Sequence, residues 1–245
     1  MAIDEEFPIL EYLIVASPSK DNTAILVLPE TLQAPHLHHL ALVGFACPIR
    51  PRLHPTATGL VALVLVTYHQ SAYFQPNVLL QWISFLPQLE TLQVIFTFAV
   101  PSRDVERQLT QIPITTYITL PNLRTFGFRG VSAYLEAVVC RITTPRLESL
   151  QIRLFNQLAF SVPHLLQFMN ATETLRLDTA EITFEDEGIH VQIYFHGAAM
   201  IAFGVMVDCW HLDWQVSSLA QISNALSQVF SAVEHLTLEH EIHSQ

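Results

Sequence analysis

Residues 120–128 read LPNLRTFGF, and residues 144–152 read TPRLESLQI. Both stretches place a proline, a leucine and two further apolar residues at the same spacing, and their aligned leucines, Leu123 and Leu147, lie 24 positions apart. Apolar residues alternate with other residues at the end of each stretch, which predicts a short strand with one buried face. Recurrence at a period of about 20 to 50 residues is typical of repeat architectures.

The pattern occurs in at least eight copies along the chain. Aligned on the first apolar position, these copies begin at Leu10, Leu37, Leu60, Leu89, Leu123, Leu147, Thr172 and Val233, with a threonine at that position in the seventh copy. The last gap, of 61 residues, has room for a degenerate copy near HLDW at 211–214. This spacing predicts an α/β fold, a leucine-rich-repeat solenoid with a curved parallel sheet on the concave side and helices on the convex side.

The segments between the repeats carry helical patterns. Pro76 suits the first turn of a helix over PNVLLQWISF, and Ser132 offers a hydroxyl as an N-cap for AYLEAVVCRI. Ser161 introduces VPHLLQFM, and Ser217 or Ser218 introduces LAQISNALSQVF. The repeating unit is therefore predicted to be strand, loop, helix and turn.

A segment near 181–195 departs from this unit. Alternating apolar residues flank an acidic run that ends at Gly188, which predicts a β-hairpin with an acidic tip. The hairpin is either a projecting insertion or a pair of irregular rungs of the sheet, and we favour the rungs. The longest apolar stretch, residues 198–207, predicts a buried strand rather than a membrane span, which needs about 18 apolar residues.

Composition narrows the classes of function. Asp and Glu total 22 against 11 Lys and Arg, a formal net charge of −11, which disfavours nucleic acid as a partner. The acidic N-terminal stretch is unlike a signal peptide, and no membrane partner is expected. The three cysteines, Cys47, Cys140 and Cys209, are widely separated, so we predict a cytoplasmic or nuclear protein without disulfides or bound metal.

Histidine clusters raise the alternative of a metal-dependent enzyme. His36, His38 and His39 lie close together in HLHHL, but no carboxylate or cysteine stands nearby in sequence. The C-terminal stretch 234–243 is rich in histidine and glutamate, yet it lacks the H-E-x-x-H spacing of a zinc protease. Cys209 continues an apolar run, so we assign it to the core rather than to a pair with His211. No phosphate-binding or nucleophile motif is present, and the sequence predicts neither a cofactor nor catalysis.

Longer stretches carry a family resemblance. Four of them do so: PHLHHLALVGFACPIRPRL, YFQPNVLLQWISFLPQLETL, VSAYLEAVVCRITTPRLESLQI and CWHLDWQVSSLAQISNALSQVFSAVEHLTL. They resemble the leucine-rich-repeat region of F-box-like proteins of mushroom-forming fungi. The resemblance implies a substrate-recognition arm of a ubiquitin-ligase receptor, in which an N-terminal F-box docks on the ligase adaptor. The first repeat begins by Phe7, so we expect this chain to lack the F-box itself and direct adaptor binding.

The ends of the array carry a further expectation. We predict a single repeat domain over residues 1–245 that is incomplete at both ends. A repeat array exposes apolar side chains and strand edges where it has no terminal cap. The isolated chain is therefore expected to self-associate.

The repeat register also predicts which side chains face the core and which face the concave side of the sheet. Alternate apolar positions are expected in the core, namely Leu92, Val94, Phe126, Phe128, Leu150, Ile152, Leu175 and Leu177. Positions 5 and 7 of each repeat are expected to form columns on the concave face, apolar in the early repeats and Arg-bearing later. Arg129 and Arg153 are predicted neighbours, so a carboxylate of a partner would relieve their repulsion, unless Asp178, next in the column, pairs with Arg153.

The predicted activity is non-enzymatic recognition of a protein on the concave face. The residues assigned to this contact are Arg129, Arg153, Arg176, Gln93, Gln151, Val64 and Val66. The alternatives are an incomplete or decayed gene product without a partner and, third, the metal-dependent enzyme.

Overall fold

The structure is a computed structural model. It describes residues 7–16, 34–44, 59–68, 74–97, 117–155, 162–172, 179–186, 188–194, 201–209, 211–231 and 233–240. The strands are β1 Tyr12–Ala16, β2 His39–Val43, β3 Ala62–Thr67, β4 Thr91–Phe96, β5 Ile118–Thr119, β6 Thr125–Gly130, β7 Ile142–Thr143, β8 Ser149–Leu154, β9 Thr179–Glu185, β10 Gly188–Tyr194, β11 Ile201–Asp208 and β12 His235–His240. The helices are α1 Pro76–Ile83, α2 Ser132–Val139, α3 Pro163–Asn170, α4 Leu212–Ala225 and the single turn α5 Ser227–Phe230.

Ten strands form one mixed, mostly parallel sheet in the order β1-β2-β3-β4-β6-β8-β11-β10-β9-β12. Each neighbouring pair is parallel except the two pairs made by β10, which runs antiparallel to β11 and to β9. The short strands β5 and β7 pair with each other in a separate two-stranded sheet. The fold is therefore α/β, as the repeat pattern predicts.

The predicted strands coincide with the repeats. Strands β1, β2, β3, β4, β6, β8 and β12 each begin two residues after the first apolar position of a copy. Between successive repeats one carbonyl accepts two backbone N–H groups of the next repeat; for example, the carbonyl of Glu90 accepts from Arg124 and Thr125, and that of Arg124 accepts from Glu148 and Ser149. The repeats are thus equivalent in backbone hydrogen bonding as well as in sequence.

The core lies on one side of this sheet, because buried and half-buried residues alternate along β3, β4, β6 and β8. Six of the eight predicted core residues are confirmed as buried: Leu92, Val94, Phe126, Phe128, Leu150 and Ile152. Leu175 and Leu177 fall outside the described residues. Phe96, Phe128 and Tyr134 pack ring on ring at the centre of the core, with centroids 4.9 to 6.2 Å apart.

The helix starts follow the sequence only in part. Pro76 opens α1 as predicted, but Ser132 is the first residue of α2 rather than its N-cap. Helix α3 has no side-chain cap from Val162; instead the carboxylate of Glu136 on α2 accepts the N–H groups of His164 and Leu165 at 2.8 and 2.9 Å. A neighbouring helix therefore supplies the cap of α3.

The C-terminal part of the sheet corrects two predictions. Helix α4 starts at Leu212, five residues before Ser217, so HLDW at 211–214 is not a strand. Strand β8 has β6 on one side and β11 on the other, whereas the columns placed the copy at Thr172 beside it; residues 173–178 of that copy lie outside the described residues. The hairpin of β9 and β10 is confirmed, and its strands are rungs of the main sheet. The predicted buried strand is also confirmed, as β11.

No helix within the described ranges is long and apolar enough to cross a membrane.

Candidate binding groove on the open face of the sheet

The side of the sheet that faces away from the core, which we call the open face, carries a groove over its centre. Two rows of residues run across the strands there. Gln93, Gly127, Gln151, Gly204 and Gln192 are in register in the first row. The second row is Ile95, Arg129, Arg153, Met206 and His190. All of these residues except Gly204 and Gln192 line a cavity of about 350 Å³ that is open to solvent.

Two glycines make room between the three glutamines of the first row. A Cβ atom at Gly127 would lie 3.2 Å from Cγ of Gln93. A Cβ atom at Gly204 would collide with Oε1 of Gln151. The side chains of Gln93 and Gln151 therefore lie over the neighbouring glycines and line the groove.

Asp208 lies between the two arginines of the second row. Nε of Arg153 donates to Oδ1 of Asp208 at 2.6 Å, and Nη2 of Arg129 donates to Oδ2 at 3.3 Å. The Asp208 side chain is 18% exposed, and the two arginines are about one-third exposed. The predicted repulsion between Arg129 and Arg153 is thus relieved by a carboxylate of the chain itself.

Arg129 is held more tightly than its single contact with Asp208 implies. Its guanidinium carbon lies 5.6 Å from the ring centroid of Phe155, a cation–π distance. Its Nε atom is buried and has no acceptor among the residues that the structure describes. A guanidinium has five N–H donors, so the arginine pair can bind a further acceptor beside Asp208.

His190 closes the groove from β10. Burial lowers the pKa of His190 from its ordinary value of 6.5, the charge of Glu185 opposes this shift, and the charge of Arg153 adds to it. The Nδ1 atom of His190 lies 3.8 Å from Oε1 of Glu185, and the amide nitrogen of Gln192 lies 3.2 Å from the ring nitrogens. A lowered pKa keeps the imidazole neutral at pH 7, so it adds no third positive charge to the arginine pair.

A second polar group extends the first row beyond Gln192. The hydroxyl of Tyr194 donates to Oε2 of Glu181 at 2.9 Å and also contacts Oε1 of Gln192. Burial and the neighbouring Glu181 raise the pKa of Tyr194 to about 12. From β4 to β9 the open face therefore carries mostly polar side chains, with Ile95 and Met206 among them, whereas β3 contributes the apolar Val64 and Val66.

Four of the seven predicted contact residues line the groove: Gln93, Arg129, Gln151 and Arg153. Val64 and Val66 lie on the same face one strand away, in register with Gln93 and Ile95, and are half-buried. Arg176 and Asp178 fall outside the described residues, and the positions beside Gln151 and Arg153 belong to Gly204 and Met206.

Sequence analysis missed Asp208, His190 and Met206 as parts of this site. They lie on β10 and β11, which are more than 30 residues from β8 in sequence, and their strands follow no repeat register. The only local signal was the end of the apolar run at Asp208.

No group of three or more His, Cys, Asp or Glu side chains in the described part of the chain is placed to hold a metal ion. His39 of the predicted histidine cluster stacks on Tyr12, with ring centroids 4.2 Å apart. Cys209 is buried in the core, as predicted, and burial raises the pKa of its thiol.

Comparison of the whole chain with protein-family models, with curated proteins and with solved structures finds no match.

Proposed function

We propose that this chain is a non-enzymatic protein-interaction scaffold built as a leucine-rich-repeat solenoid, and that its open face binds another protein. The proposal keeps the resemblance to the substrate-recognition repeats of F-box receptors. It is supported by the equivalent backbone bonding of the repeats and by the parallel order of their strands. In such solenoids the face opposite the helices is the common recognition surface.

The observation that carries the proposal is the groove over β4, β6, β8, β11 and β10. It combines amide and guanidinium donors with the apolar side chains of Ile95 and Met206. Sites that recognise a ligand are typically concave, partly apolar and provided with a few convergent polar groups. The adjoining apolar side chains of β3 would extend the contact area toward the early repeats.

The arginine pair defines what the partner presents. Arginines in protein interfaces make planar, bidentate contacts with carboxylates. Asp208 already occupies part of this pair, so an acidic side chain of the partner would share the guanidiniums with Asp208 or displace it. Asp208 is then an internal competitor of the partner.

The test is affinity capture of partners with tagged wild-type chain, followed by calorimetric titration of the captured protein. Arg129→Ala and Arg153→Ala should each weaken binding by roughly 1 to 3 kcal/mol. Arg124→Ala is the matched control, because Arg124 pairs with Glu148 on an exposed surface outside the groove. Added salt should weaken partner binding by the wild type more than partner binding by the variant that carries both Arg129→Ala and Arg153→Ala.

Asp208→Asn should change partner affinity in the opposite direction. Loss of the internal carboxylate frees both guanidiniums, and we expect partner binding to tighten by about 1 kcal/mol. Unfolding of each variant is measured alongside, because loss of an arginine also leaves Asp208 with one partner fewer. If Arg129→Ala, Arg153→Ala and Arg124→Ala bind equally well, the recognition surface is not this groove.

A further inference from the structure

Strand β12 ends the ten-stranded sheet. It pairs in parallel with β9, from His235 opposite Thr179 to His240 opposite Phe184, without a register shift. Among the strands that the structure describes, none lies on its other side. Natural proteins guard such edges with Pro, Lys or a bulge, because unpaired backbone groups accept another chain. The stretch EHLTLEH at 234–240 contains neither Pro nor Lys.

The apolar side of this edge is uncovered. Leu236 and Leu238 lie in register with Ala180 and Ile182, which are buried in the core. Leu236 is nevertheless 57% exposed and Leu238 is 64% exposed. A core-facing position that stays in water costs hydrophobic free energy that a neighbouring strand would recover. A strand with apolar residues opposite Leu236 and Leu238 would therefore be stabilised at this edge.

The strand is complementary to itself when it is read in the opposite direction. If Thr237 faces Thr237 of a second copy, then Leu236 faces Leu238 of that copy, and His235 faces Glu239 of that copy. Each of these pairs occurs twice because the arrangement has two-fold symmetry. Within one strand His235 and Glu239 are about 13 Å apart and cannot meet, so their complementarity has an effect only between copies.

The backbone permits this register. Facing residues in an antiparallel pair must both point their N–H and C=O groups toward the partner strand or both away from it. Alternate residues of a strand point their backbone groups to the same edge. Residues 235 and 239 are four positions apart and residues 236 and 238 are two apart, so both facing pairs meet this condition. A shift that places Leu236 opposite Leu236 would put His235 opposite Thr237 and lose the charge match.

We propose that β12 pairs antiparallel with β12 of a second copy of this chain, with Thr237 on the two-fold axis. The two sheets then join edge to edge, with the leucines in one apolar cluster on the core side. His235 and Glu239 form two cross-strand contacts on the open face, either as ion pairs or as imidazole-to-carboxylate hydrogen bonds. This proposal is independent of any partner bound in the groove.

Disulfide cross-linking tests whether Thr237 lies on the two-fold axis. In an antiparallel pair directly facing Cα atoms are about 4.5 to 5.5 Å apart, within the range that a disulfide spans. Thr237→Cys should therefore form a disulfide-linked dimer under mild oxidation, with a 237-to-237 bond identified by peptide mass spectrometry. His235→Cys is the matched control, because its two copies would be about 13 Å apart and should not cross-link.

A charge exchange tests the register, with sedimentation velocity as the measurement. His235→Glu places glutamates opposite each other twice and should weaken the dimer about tenfold. The double change His235→Glu with Glu239→His restores both pairs and should restore the dimer. His235, Thr237 and Glu239 are exposed, and thermal unfolding checks that each variant folds.

Three results would overturn the proposal. The wild-type chain could remain a monomer at all concentrations. Thr237→Cys and His235→Cys could cross-link equally or not at all, which would exclude Thr237 from the axis. The double exchange could fail to restore the dimer. That result is expected if β12 pairs head to tail with β1 of a second copy, because Tyr12–Ala16 has no charged residue opposite position 235 or 239.

Discussion

At the scale of single residues, the arginine pair shows what a repeat pattern can and cannot predict. The register placed Arg129 beside Arg153, because equivalent positions of successive repeats face each other in a parallel sheet, and the structure pairs them. The carboxylate between them came from Asp208, which is 55 residues from Arg153. A like-charge pair in a sequence therefore predicts a compensating anion but not which residue provides it.

Asp208→Asn should lower stability. The change leaves two partly buried guanidiniums side by side without a counter-charge, and we expect a loss of about 2 kcal/mol in the free energy of unfolding. High salt should reduce the loss, since it screens the repulsion that remains. Denaturant titration measures both effects. Arg124→Gln, at an exposed pair, should change stability by less than about 0.5 kcal/mol, and an equal effect of the two changes would contradict the account.

His190 should make stability pH-dependent. Its pKa is lowered in the folded chain, chiefly by burial, so the unfolded chain takes up the proton more readily as the pH falls below 6.5. Stability from this group is thus present above 6.5 and is lost on acidification. Compared with the wild type, His190→Gln should show a smaller loss of unfolding free energy between about pH 7.5 and pH 5.5. Identical pH profiles would mean that burial of His190 has no energetic effect.

At the scale of elements, strands were easier to predict than helix ends. Each L-x-x-L-x-L stretch encodes its own alternation of buried and open positions, so the repeat strands could be located from local sequence. Helix caps are different, because any acceptor that reaches the first N–H groups will serve. Glu136 reaches α3 from α2, and nothing within residues 161–170 signals this contact.

Removal of the Glu136 carboxylate should loosen α3 specifically. Glu136→Ala leaves the N–H groups of His164 and Leu165 without their acceptor, and we expect a loss of about 1 kcal/mol. Glu136→Gln keeps one carbonyl oxygen and should lose about half as much. Hydrogen exchange at His164 and Leu165 should accelerate in both variants and most in the alanine variant. Unchanged exchange at these two amides would show that the cap does not stabilise the helix.

At the scale of the whole molecule, the α/β class and the core face of the sheet could be predicted, but the full strand order could not. Parallel neighbours in sequence order follow from equivalent repeats, which holds from β1 to β8 with only the short β5 and β7 set apart. The placement of β11 beside β8 depends on contacts across about 50 residues, and alternation within the strand carries no information about its neighbour. The sequence therefore predicted the groove residues on β4, β6 and β8 but not those on β10 and β11.

Leu150 tests whether the repeat core is shared by the whole sheet. Its side chain is fully buried between β6 and β11, facing Phe126 and Phe203 in register. Leu150→Ala should cost about 2 to 5 kcal/mol, measured as a shift of the unfolding midpoint. Gln151→Ala, at the next residue on the open face, should cost far less. Equal shifts would mean that the two faces of the sheet have been exchanged.

The central claim is that a protein partner binds the groove on the open face, and site-specific photo-cross-linking tests it most directly. A benzophenone amino acid replaces Gln93, which lines the groove, or Gln167, which is exposed on α3 outside it. In lysate that contains the captured partner, the probe at position 93 should cross-link to that partner, and Arg153→Ala in the same chain should reduce the yield. The probe at position 167 should give none. Cross-linking at 167 but not at 93 would contradict the account.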